Sequence, residues 1–468
     1  MRRRVLFLIT AGLAFGLCGY VFTSHVEAQN QTPVPTFAKD VAPILYKNCA
    51  GCHRPGEIGP MPLLSYDDAR PYAGDIRDQV KAGHMPPWHA DPRFGAFRNE
   101  RKLTDAEKAT IIRWADGGAP RGNDRDLPPV PKFAEGWSIG TPDAILKLPQ
   151  EYEVPASGTI EYQYFEVPTN WTEPKWIQAM EVRPGARSVV HHVLVYAREP
   201  AGLPARPRAL QPVRTNGNVL NLNPPTPPVI PPAGTQPPVT PPTTPPATPP
   251  AGAAPRVLGG LIASNAPGTN AMVYEPGTAL LIRPGAVLTF QVHYTASGKA
   301  TKDQSSIGFM FAKNPPAEEI RVGQFINTQL QLPAGVSDQR VDAGVTVLED
   351  VHLVGLLPHT HLRGTRWEYK VVYPDGRSEV ILAMPKYDFN WQTYFMFKTP
   401  LALPKGSRIE SSAWYDNSAT NKSNPDPKVN VRWGDQTWEE MQYTGITYTV
   451  DSQKKPAGGT SPAPGAKK

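Results

Sequence analysis

The stretch Val189-Val190-His191-His192-Val193-Leu194-Val195-Tyr196 contains the pattern that decides the fold of most of this chain. It is a strand-length run rich in β-branched residues and is interrupted only by two histidines. Comparable runs, separated by proline and glycine, occur at residues 160–167, 286–294 and 367–372. Short strands at this spacing are typical of β-sandwiches, so we predict an all-β region from residue 137 onward.

The composition of the whole chain limits its size and class. Its 468 residues are enough for about three domains of ~150 residues each. Hydrophobic residues make up 40% of the chain and charged residues 19%, as in globular proteins, while 55 prolines disfavour helix and central strand over long stretches. The net charge of +6 is not gathered into a basic cluster with aromatic side chains. We therefore predict no nucleic-acid partner.

Residues 1–28 have the pattern of a secretory signal peptide. Three arginines precede the apolar run Val5–Phe22, and Val26-Glu27-Ala28 provides a cleavage site with a small last residue. We predict export to the periplasm or secretion from the cell. A retained segment would anchor the chain in a membrane, because ~20 apolar residues can span a bilayer.

Cysteine usage points to a haem site. Beyond the signal peptide only Cys49 and Cys52 remain, although export normally favours disulfides. They stand in Cys49-Ala50-Gly51-Cys52-His53, the C-x-x-C-H spacing that holds a covalent c-type haem by two thioethers, with His53 on the iron. A thioredoxin-like dithiol is the main alternative, but no βαβ pattern precedes these residues. We predict one c-type haem.

A second axial ligand to the iron is expected from the segment Gly83–Trp88. Met85 is our choice, because a thioether raises the potential of the iron and suits electron transfer. His84, His89 and Met61 remain open as alternatives. The order of a helix, the C-x-x-C-H motif, a methionine loop and a closing helix makes residues 36–122 similar to a small class I cytochrome c. That similarity implies a small all-α domain.

Other segments divide the rest of the chain. Thr104-Asp105-Ala106-Glu107 predicts a helix start and Gly117-Gly118 its end, which leaves residues 123–136 as a linker. Residues 223–256 are dominated by Pro-Pro pairs and are predicted to form an extended surface insertion within one β unit. Residues 452–468 are rich in proline, glycine and lysine and are predicted to be a disordered tail.

Six histidines lie beyond the helical region, namely His191, His192, His293, His352, His359 and His361. In the strand-like His359-Thr360-His361, alternate residues project to one face, so both imidazoles can reach one metal. His191 and His192 would point to opposite faces unless a bulge, a twist or a sheet edge intervenes. Taken alone, His293 would be a half-buried strand residue. Imidazole suits copper, zinc or iron, and export together with a thioether nearby favours copper.

These histidines stand in the order of a known enzyme family. The segments that match it are Val190–Val193, Gln291–Tyr294, Pro358–Gly364 and Thr437–Met441, with residues 388–394 as a further one. They make residues 137–450 resemble the copper type II, ascorbate-dependent monooxygenases, the family of peptidylglycine alpha-hydroxylating monooxygenase and dopamine beta-monooxygenase.

The resemblance implies two coppers on two all-β jelly-roll sandwiches, at residues 137–315 and 316–451. On the first, His191, His192 and His293 would hold the electron-storing copper. On the second, His359, His361 and Met441 would hold the catalytic copper, where the thioether stabilises copper(I). His352 lies an odd number of residues before His359 and is left out of the site.

The sequence also departs from the family. Its amidating members bind a peptide carboxylate with an arginine, an asparagine and a tyrosine at positions that here hold Leu357, Tyr443 and Gly445. A peptide ending in glycine is therefore not the expected substrate. The family's disulfides are missing too, since no cysteine follows Cys52.

The resemblance and the haem motif together predict an exported monooxygenase. It would hydroxylate a C–H bond of a small organic substrate with dioxygen. The electrons would come through the fused haem from a periplasmic donor or an ascorbate-like reductant. The alternative is a non-catalytic periplasmic haem and copper protein for electron transfer. A haem peroxidase is a third possibility and would need an open position on the iron.

Overall fold

The computed structural model of the chain describes residues 33–57, 59–133, 136–203, 206–215, 218–219, 260–267, 269 and 271–454. The predicted signal peptide (1–28), the proline-rich insertion (223–256) and residues 455–468 of the predicted tail lie outside these ranges. Residues 452–454 of that tail are described, and Asp451–Gln453 form a 3-10 turn. Among the described residues, no helix is long and apolar enough to cross a membrane.

The described residues fold mostly as β-strands, and their α-helices all precede residue 117. The helices are α1 (Ala42–Asn48), α2 (Tyr66–Ala69), α3 (Ala73–Lys81) and α4 (Asp105–Asp116). A π-turn at Phe37–Val41 and 3-10 turns at Arg70–Tyr72 and Asp124–Asp126 flank them. The predominance of strands after residue 137, predicted from the short apolar runs, is confirmed.

The strands, numbered in chain order, are β1 (Ala144–Lys147), β2 (Tyr152–Val154), β3 (Gln163–Pro168), β4 (Lys175–Arg183), β5 (Val190–Arg198), β6 (Leu210–Pro212), β7 (Arg214–Thr215), β8 (Asn218–Val219), β9 (Gly260–Asn265), β10 (Ala271–Val273), β11 (Thr278–Ile282) and β12 (Val287–Tyr294). They continue with β13 (Thr301–Asp303), β14 (Ser306–Phe311), β15 (Glu318–Ile326), β16 (Gln331–Leu332), β17 (Gln339–Val347), β18 (Val351–His359), β19 (Gly364–Val372), β20 (Ser378–Met384), β21 (Phe395–Leu403), β22 (Arg408–Tyr415), β23 (Val431–Arg432) and β24 (Tyr443–Val450).

The four helices surround a small core of their own. Phe37, Leu45, Ile111 and Trp114 are buried in it, apart from the core of the strands. The predicted capping box at the start of α4 is present, because the Thr104 hydroxyl accepts from the Glu107 amide and the Glu107 carboxylate accepts from the Thr104 amide. The helix ends before Gly117, as its sequence predicts.

Three larger sheets carry the β region. Sheet A has the strand order β1-β14-β4-β11-β15-β24-β18-β21, with β10 beside β4. Sheet B has the order β3-β12-β5-β9, and sheet C has the order β20-β19-β22-β17-β6. Buried side chains from all three sheets belong to one hydrophobic core, as in packed sandwiches. In sheet C, β19 alternates buried Trp367, Tyr369 and Val371 with half-buried residues, which explains the period of two in its sequence.

Sheet hydrogen bonds cross the boundary predicted between residues 315 and 316 at two places. In sheet A, β11 pairs with β15 in parallel, residues 278–280 against 318–320. In sheet C, the short strand β6 comes from the first half of the chain and pairs with β17 at residues 345–347. The two halves of the β region therefore share sheets.

The two predicted histidine sets lie in different sheets. His191 and His192 are on β5 and His293 is on β12, two neighbouring strands of sheet B. His359 is the last residue of β18 in sheet A, beside β24. The fold thus presents the two sets from separate layers.

Deleting residues 224–250 should leave the protein folded. Their proline-rich sequence offers few donors to a sheet, and a solvated insertion of this kind contributes little buried area. We expect the free energy of unfolding to change by less than about 0.5 kcal/mol. Soluble yield, thermal unfolding and bound metal should be compared with those of a chain in which a glycine-serine linker of equal length replaces the segment. Loss of soluble protein in both variants would contradict the prediction.

Candidate metal centres

The first histidine set is brought together by a bulge in β5. In sheet B, His192 lies opposite His293, whereas the next residue of β12, Tyr294, lies opposite Val190. His191 is therefore the extra residue of the bulge. A bulge turns neighbouring side chains toward the same side of a sheet. This is the local irregularity that two adjacent histidine ligands require.

The three imidazoles of this set face one point. Their potential ligand atoms all lie within 4.8 Å of one another. The Nδ1 atoms of His191 and His192 are 3.2 Å apart, and the His293 ring centre is 5.0 Å from that of His191 and 5.1 Å from that of His192. Two imidazole nitrogens this close repel unless a proton or a metal ion lies between them. The arrangement fits a metal ion held by three nitrogens.

Burial keeps these imidazoles neutral. Desolvation lowers the pKa of His293 to about 3 and that of His192 well below its usual range. Burial also lowers the pKa of His191, against a hydrogen bond to Asn390 that raises it. His192 Nε2 and His293 Nδ1 are buried without a hydrogen-bond partner in the described residues. Neutral imidazoles with unpaired nitrogens are the form that binds a metal.

The second histidine set straddles the end of β18. The sequence predicted a strand through all of His359-Thr360-His361, but the strand ends at His359. The rings of His359 and His361 still meet, with centres 5.2 Å apart, and both residues are buried. Thr360 is held between them by Tyr387, whose hydroxyl accepts from the Thr360 amide and donates to its carbonyl. The backbone therefore fixes both imidazoles.

The imidazoles of the second set are also neutral. Burial lowers the pKa of His359 to about 4, and it lowers that of His361 well below its usual range. His361 Nδ1 lies 3.3 Å from the Glu439 carbonyl, which leaves a buried Nε2 without a partner in the described residues. Hydrogen bonding at one ring nitrogen is how proteins aim the other at a metal.

Met441 is tied to the second set through its neighbour Glu440. The fully buried Glu440 carboxylate accepts from the backbone amides of His361 (2.9 Å), Arg363 (2.7 Å) and Met441 (3.0 Å). The hydroxyl of Tyr415 donates to the Met441 carbonyl. One carboxylate thus holds the loop after β18 against the residues that lead into β24. The local sequence indicates no role for Glu440, because its partners at residues 361 and 363 lie far from it along the chain.

Burial also changes the acidity of Glu440. Desolvation raises the pKa of its carboxyl to about 7, while the three amide hydrogen bonds lower it. Nearby Arg363 is buried as well, and its guanidinium donates to Asn417 and to the Trp438 carbonyl. Buried hydrogen bonds of Glu440 and Arg363 therefore hold the backbone around the second set.

Phe389 lies between the two histidine sets and is a second residue that the sequence analysis missed. Its ring stacks on His191, with centres 5.4 Å apart and planes at 11°. It also lies 6.3 Å from the ring of His359 and 6.1 Å from that of His361. The only sequence signal was its place in the segment 388–394. One aromatic ring therefore contacts histidines of both sets.

The C-x-x-C-H motif begins directly after α1, and both of its cysteines are half-buried. His53 Nδ1 lies 3.1 Å from the Met61 carbonyl, which leaves Nε2 for a metal. Cys49 and Cys52 are not joined to each other. Burial and the neighbouring Cys52 raise the pKa of the Cys49 thiol to about 12.

The candidates for the second haem ligand differ in their surroundings. Met85 is half-buried, in the loop that follows α3. Both ring nitrogens of His84 are engaged, Nδ1 by Gln79 at 3.1 Å and Nε2 by Lys386 at 3.0 Å, which disfavours it as a ligand. The ring of His53 is hydrogen-bonded to the backbone carbonyl of Met61. Within the described part of the chain, no hydrogen bond joins this ring to Met85.

Two further sequence expectations concern residues near the second set. His352, left out of the site, pairs with Asp451 at 2.8 Å at the opposite end of β18 from His359. Leu357 lies opposite Gly445 in the β18–β24 pair, and the Tyr443 hydroxyl donates to Gln324 at 3.1 Å. Neither the Leu357 nor the Tyr443 side chain is positively charged.

Comparisons with known proteins identify no family. No protein-family pattern matches the chain, and no curated protein matches it. Similar solved structures include the VP2 subviral particle of infectious bursal disease virus, with 8% identity, 66% of this chain and 72% of that chain covered, and a TM-score of 0.18. A xanthan lyase of Paenibacillus shares 11% identity over 67% of this chain and 26% of that chain, with a TM-score of 0.15. Scores this low carry no argument about fold or function.

Proposed function

We propose that this chain is an exported copper-dependent monooxygenase that hydroxylates a C–H bond of a small organic substrate. The observation that carries the proposal is the pair of neutral histidine sets, one half-buried and one fully buried, that both contact the ring of Phe389. A relay of single electrons needs one metal site. Two sites with different ligands suit a reaction that consumes two electrons, one stored at each site.

The proposed architecture follows the sequence resemblance. We assign the helical cluster to a class I cytochrome c domain, with one haem on Cys49, Cys52 and His53, and Met85 as second axial ligand. We assign the β region to two jelly-roll sandwiches of the copper type II monooxygenases. The fused haem would take electrons from a periplasmic donor or an ascorbate-like reductant.

The residues of the chain have separate roles in this mechanism. Bound copper would supply one-electron chemistry and the activation of dioxygen. His191, His192 and His293 would hold the storage site, and His359, His361 and Met441 the reactive one. Glu440 positions His361 and Met441 through their backbone amides. Burial of His359 and His361 would keep water away from the reactive site and so limit side reactions there.

The surroundings of the second set limit the substrate. Leu357 is buried and the Tyr443 hydroxyl is already paired with Gln324. Neither position therefore offers a group that would bind the carboxylate of a peptide substrate. We propose a small organic substrate rather than a peptide that ends in glycine. We propose the periplasm or the cell exterior as its location, with membrane attachment only if residues 1–28 are retained.

Metal and haem analysis of the exported full chain tests the proposal. We expect one covalent haem and one copper at each histidine set. His192→Ala should remove one copper, because it takes a buried ligand from the first set. His352→Ala is the matched control and should keep both coppers, since its ring pairs with Asp451. Retention of both coppers in His192→Ala would contradict the assignment.

Dioxygen consumption separates the enzyme from the non-catalytic alternative. In a monooxygenase, dioxygen uptake should match the product formed in amount. An electron-transfer protein would merely reoxidise in air and form no hydroxylated product. A haem peroxidase would need an open position on the iron, so a low-spin spectrum with a methionine-to-iron band would exclude it.

A further inference from the structure

A cavity of about 1120 Å³ lies between the segment that precedes α4 and sheet A. Its walls come mainly from residues 98–101, from β10 and the turn after it, and from the end of β14 with residues 312–316. None of the six predicted copper ligands is among its lining residues. Pockets for small molecules typically have volumes of ~300–1,000 Å³. This cavity can therefore hold a small organic molecule apart from the metal centres.

The two sides of the cavity are joined to each other. The Asn99 side-chain amide donates to the Tyr394 carbonyl at 2.6 Å, and its carbonyl oxygen accepts from the Met396 amide at 3.1 Å. The Arg98 guanidinium forms an ion pair with Glu275, in the turn after β10. The segment that precedes α4 is thus fixed to sheet A at both of these places, and the shape of the cavity is set by the fold.

The charges that line the cavity are unbalanced. Four charged side chains line it among the described residues. Arg98 and Glu275 pair with each other, which leaves Arg101 and Lys313. Neither of these two side chains has an ion-pair or hydrogen-bond partner in the described part of the chain. A cavity with two positive charges and no counter-charge for them attracts an anion.

The wall that sheet A provides is apolar. Val273 on β10 is 50% exposed, and Met310 and Phe311 at the end of β14 are half-buried. Val273 and Met310 are both paired with Ala179 of β4, one from each side. Residues that lie opposite one another in neighbouring strands share a face of the sheet. Together they form an apolar surface that a bound molecule would cover.

We propose that this cavity binds a small organic carboxylate with an apolar body. The carboxylate pairs with Arg101 and Lys313, and the apolar body covers Val273 and Met310. Such a ligand contacts the segment that precedes α4 as well as sheet A, so its binding stabilises the two together. A cationic ligand would be repelled by both side chains, and a neutral one would leave their charges without a partner. The site lies apart from the metal centres, so this inference does not depend on the proposed function.

Calorimetric titration of the full chain with phenylpropanoate at low salt tests the proposal. We expect saturable binding and a midpoint of thermal unfolding that rises with the concentration of the probe. Phenylpropanamide has the same shape without the charge and should bind at least about tenfold more weakly, because hydrogen bonds to charged groups are the stronger ones. Absence of saturable binding, or equal affinity for the two compounds, would overturn the inference.

Variants of the two unpaired cations locate the site. Arg101→Gln combined with Lys313→Gln should weaken phenylpropanoate binding at least about tenfold, because both charge-assisted contacts are lost. Arg125→Gln combined with Lys299→Gln removes two exposed cations that do not line the cavity, and should leave the affinity unchanged. Thermal unfolding without the probe should be the same in both double variants, since exposed substitutions usually change stability little. Equal affinity in the two double variants would overturn the inference.

A substitution in the apolar wall provides an independent test. Val273→Glu places a negative charge where the apolar body binds and should abolish detectable binding of phenylpropanoate. Val273→Thr keeps the size of the side chain at this exposed position and should bind the probe nearly as well as the wild-type chain. Wild-type affinity in Val273→Glu would show that the probe binds elsewhere and would contradict the proposal.

Discussion

Met441→Leu should lose most dioxygen-dependent turnover while it keeps the haem and the copper of His191, His192 and His293. Leucine preserves the apolar volume, and such a change usually costs less than ~1.5 kcal/mol of stability. A structural methionine would therefore be replaced with little effect. As a ligand, its thioether stabilises copper(I), and leucine cannot replace it.

Two other methionines serve as controls for Met441→Leu. Met310→Leu, at a half-buried position on β14, should keep full turnover and both coppers. Met85→Leu should shift the haem spectrum and leave ascorbate-driven turnover largely intact, because ascorbate bypasses the haem. Product formation, copper content and haem absorption should be measured for all three. Full turnover with two coppers in Met441→Leu would show that Met441 is not a ligand, and Met310 would then be the next methionine to test.

Glu440→Gln should weaken the second copper site and the fold together. A glutamine keeps the size of the side chain, but its NH2 group would face amides that now donate to a carboxylate oxygen. Each hydrogen bond to a charged group contributes about 1.5–3 kcal/mol, so we expect the variant to unfold more easily by at least that amount. Loss of a residue that orients metal ligands typically lowers metal affinity about 10- to 100-fold.

The neighbouring glutamate provides the control for Glu440→Gln. The Glu439 carboxylate accepts from the Gln436 amide at 3.0 Å and holds neither the His361 nor the Met441 backbone amide. Glu439→Gln should therefore keep both coppers at wild-type affinity. Copper titration and thermal unfolding should be measured for both variants. Equal loss of the second copper in the two variants would mean that general destabilisation, and not Glu440, controls the site.

Local patterns in the sequence were sufficient for several of the strands and for one helix start. The apolar runs at 189–196 and 286–294 became β5 and β12 to within a residue or two. The capping box at Thr104 formed as predicted. These features depend on neighbouring residues alone, which is why a single sequence can indicate them.

Features that depend on distant contacts could not be predicted. The partner of β6 is β17, far along the chain, and nothing in the sequence of Leu210–Pro212 points to it. Glu440 lies two residues after the exposed Trp438, yet it is fully buried and accepts hydrogen bonds from the amides of His361 and Arg363, far away in the sequence. The contacts of Phe389 with both histidine sets could not be predicted, because they depend on where the β20–β21 connection packs. From the sequence, adjacent His191 and His192 could share one metal only if the strand were irregular there, as with a bulge. The sequence could not show that this bulge forms.

The pairing of β6 with β17 has a consequence for how the chain matures. A polypeptide that is translocated from its N-terminus releases β6 well before β17 has crossed. Until then β6 has no sheet partner, and the closing of so long a loop slows folding. An unpaired strand is also a template for aggregation. For the export proposed above, we therefore expect the emerging chain to depend on chaperones until its last third has crossed the membrane, after which β6 covers the edge of sheet C.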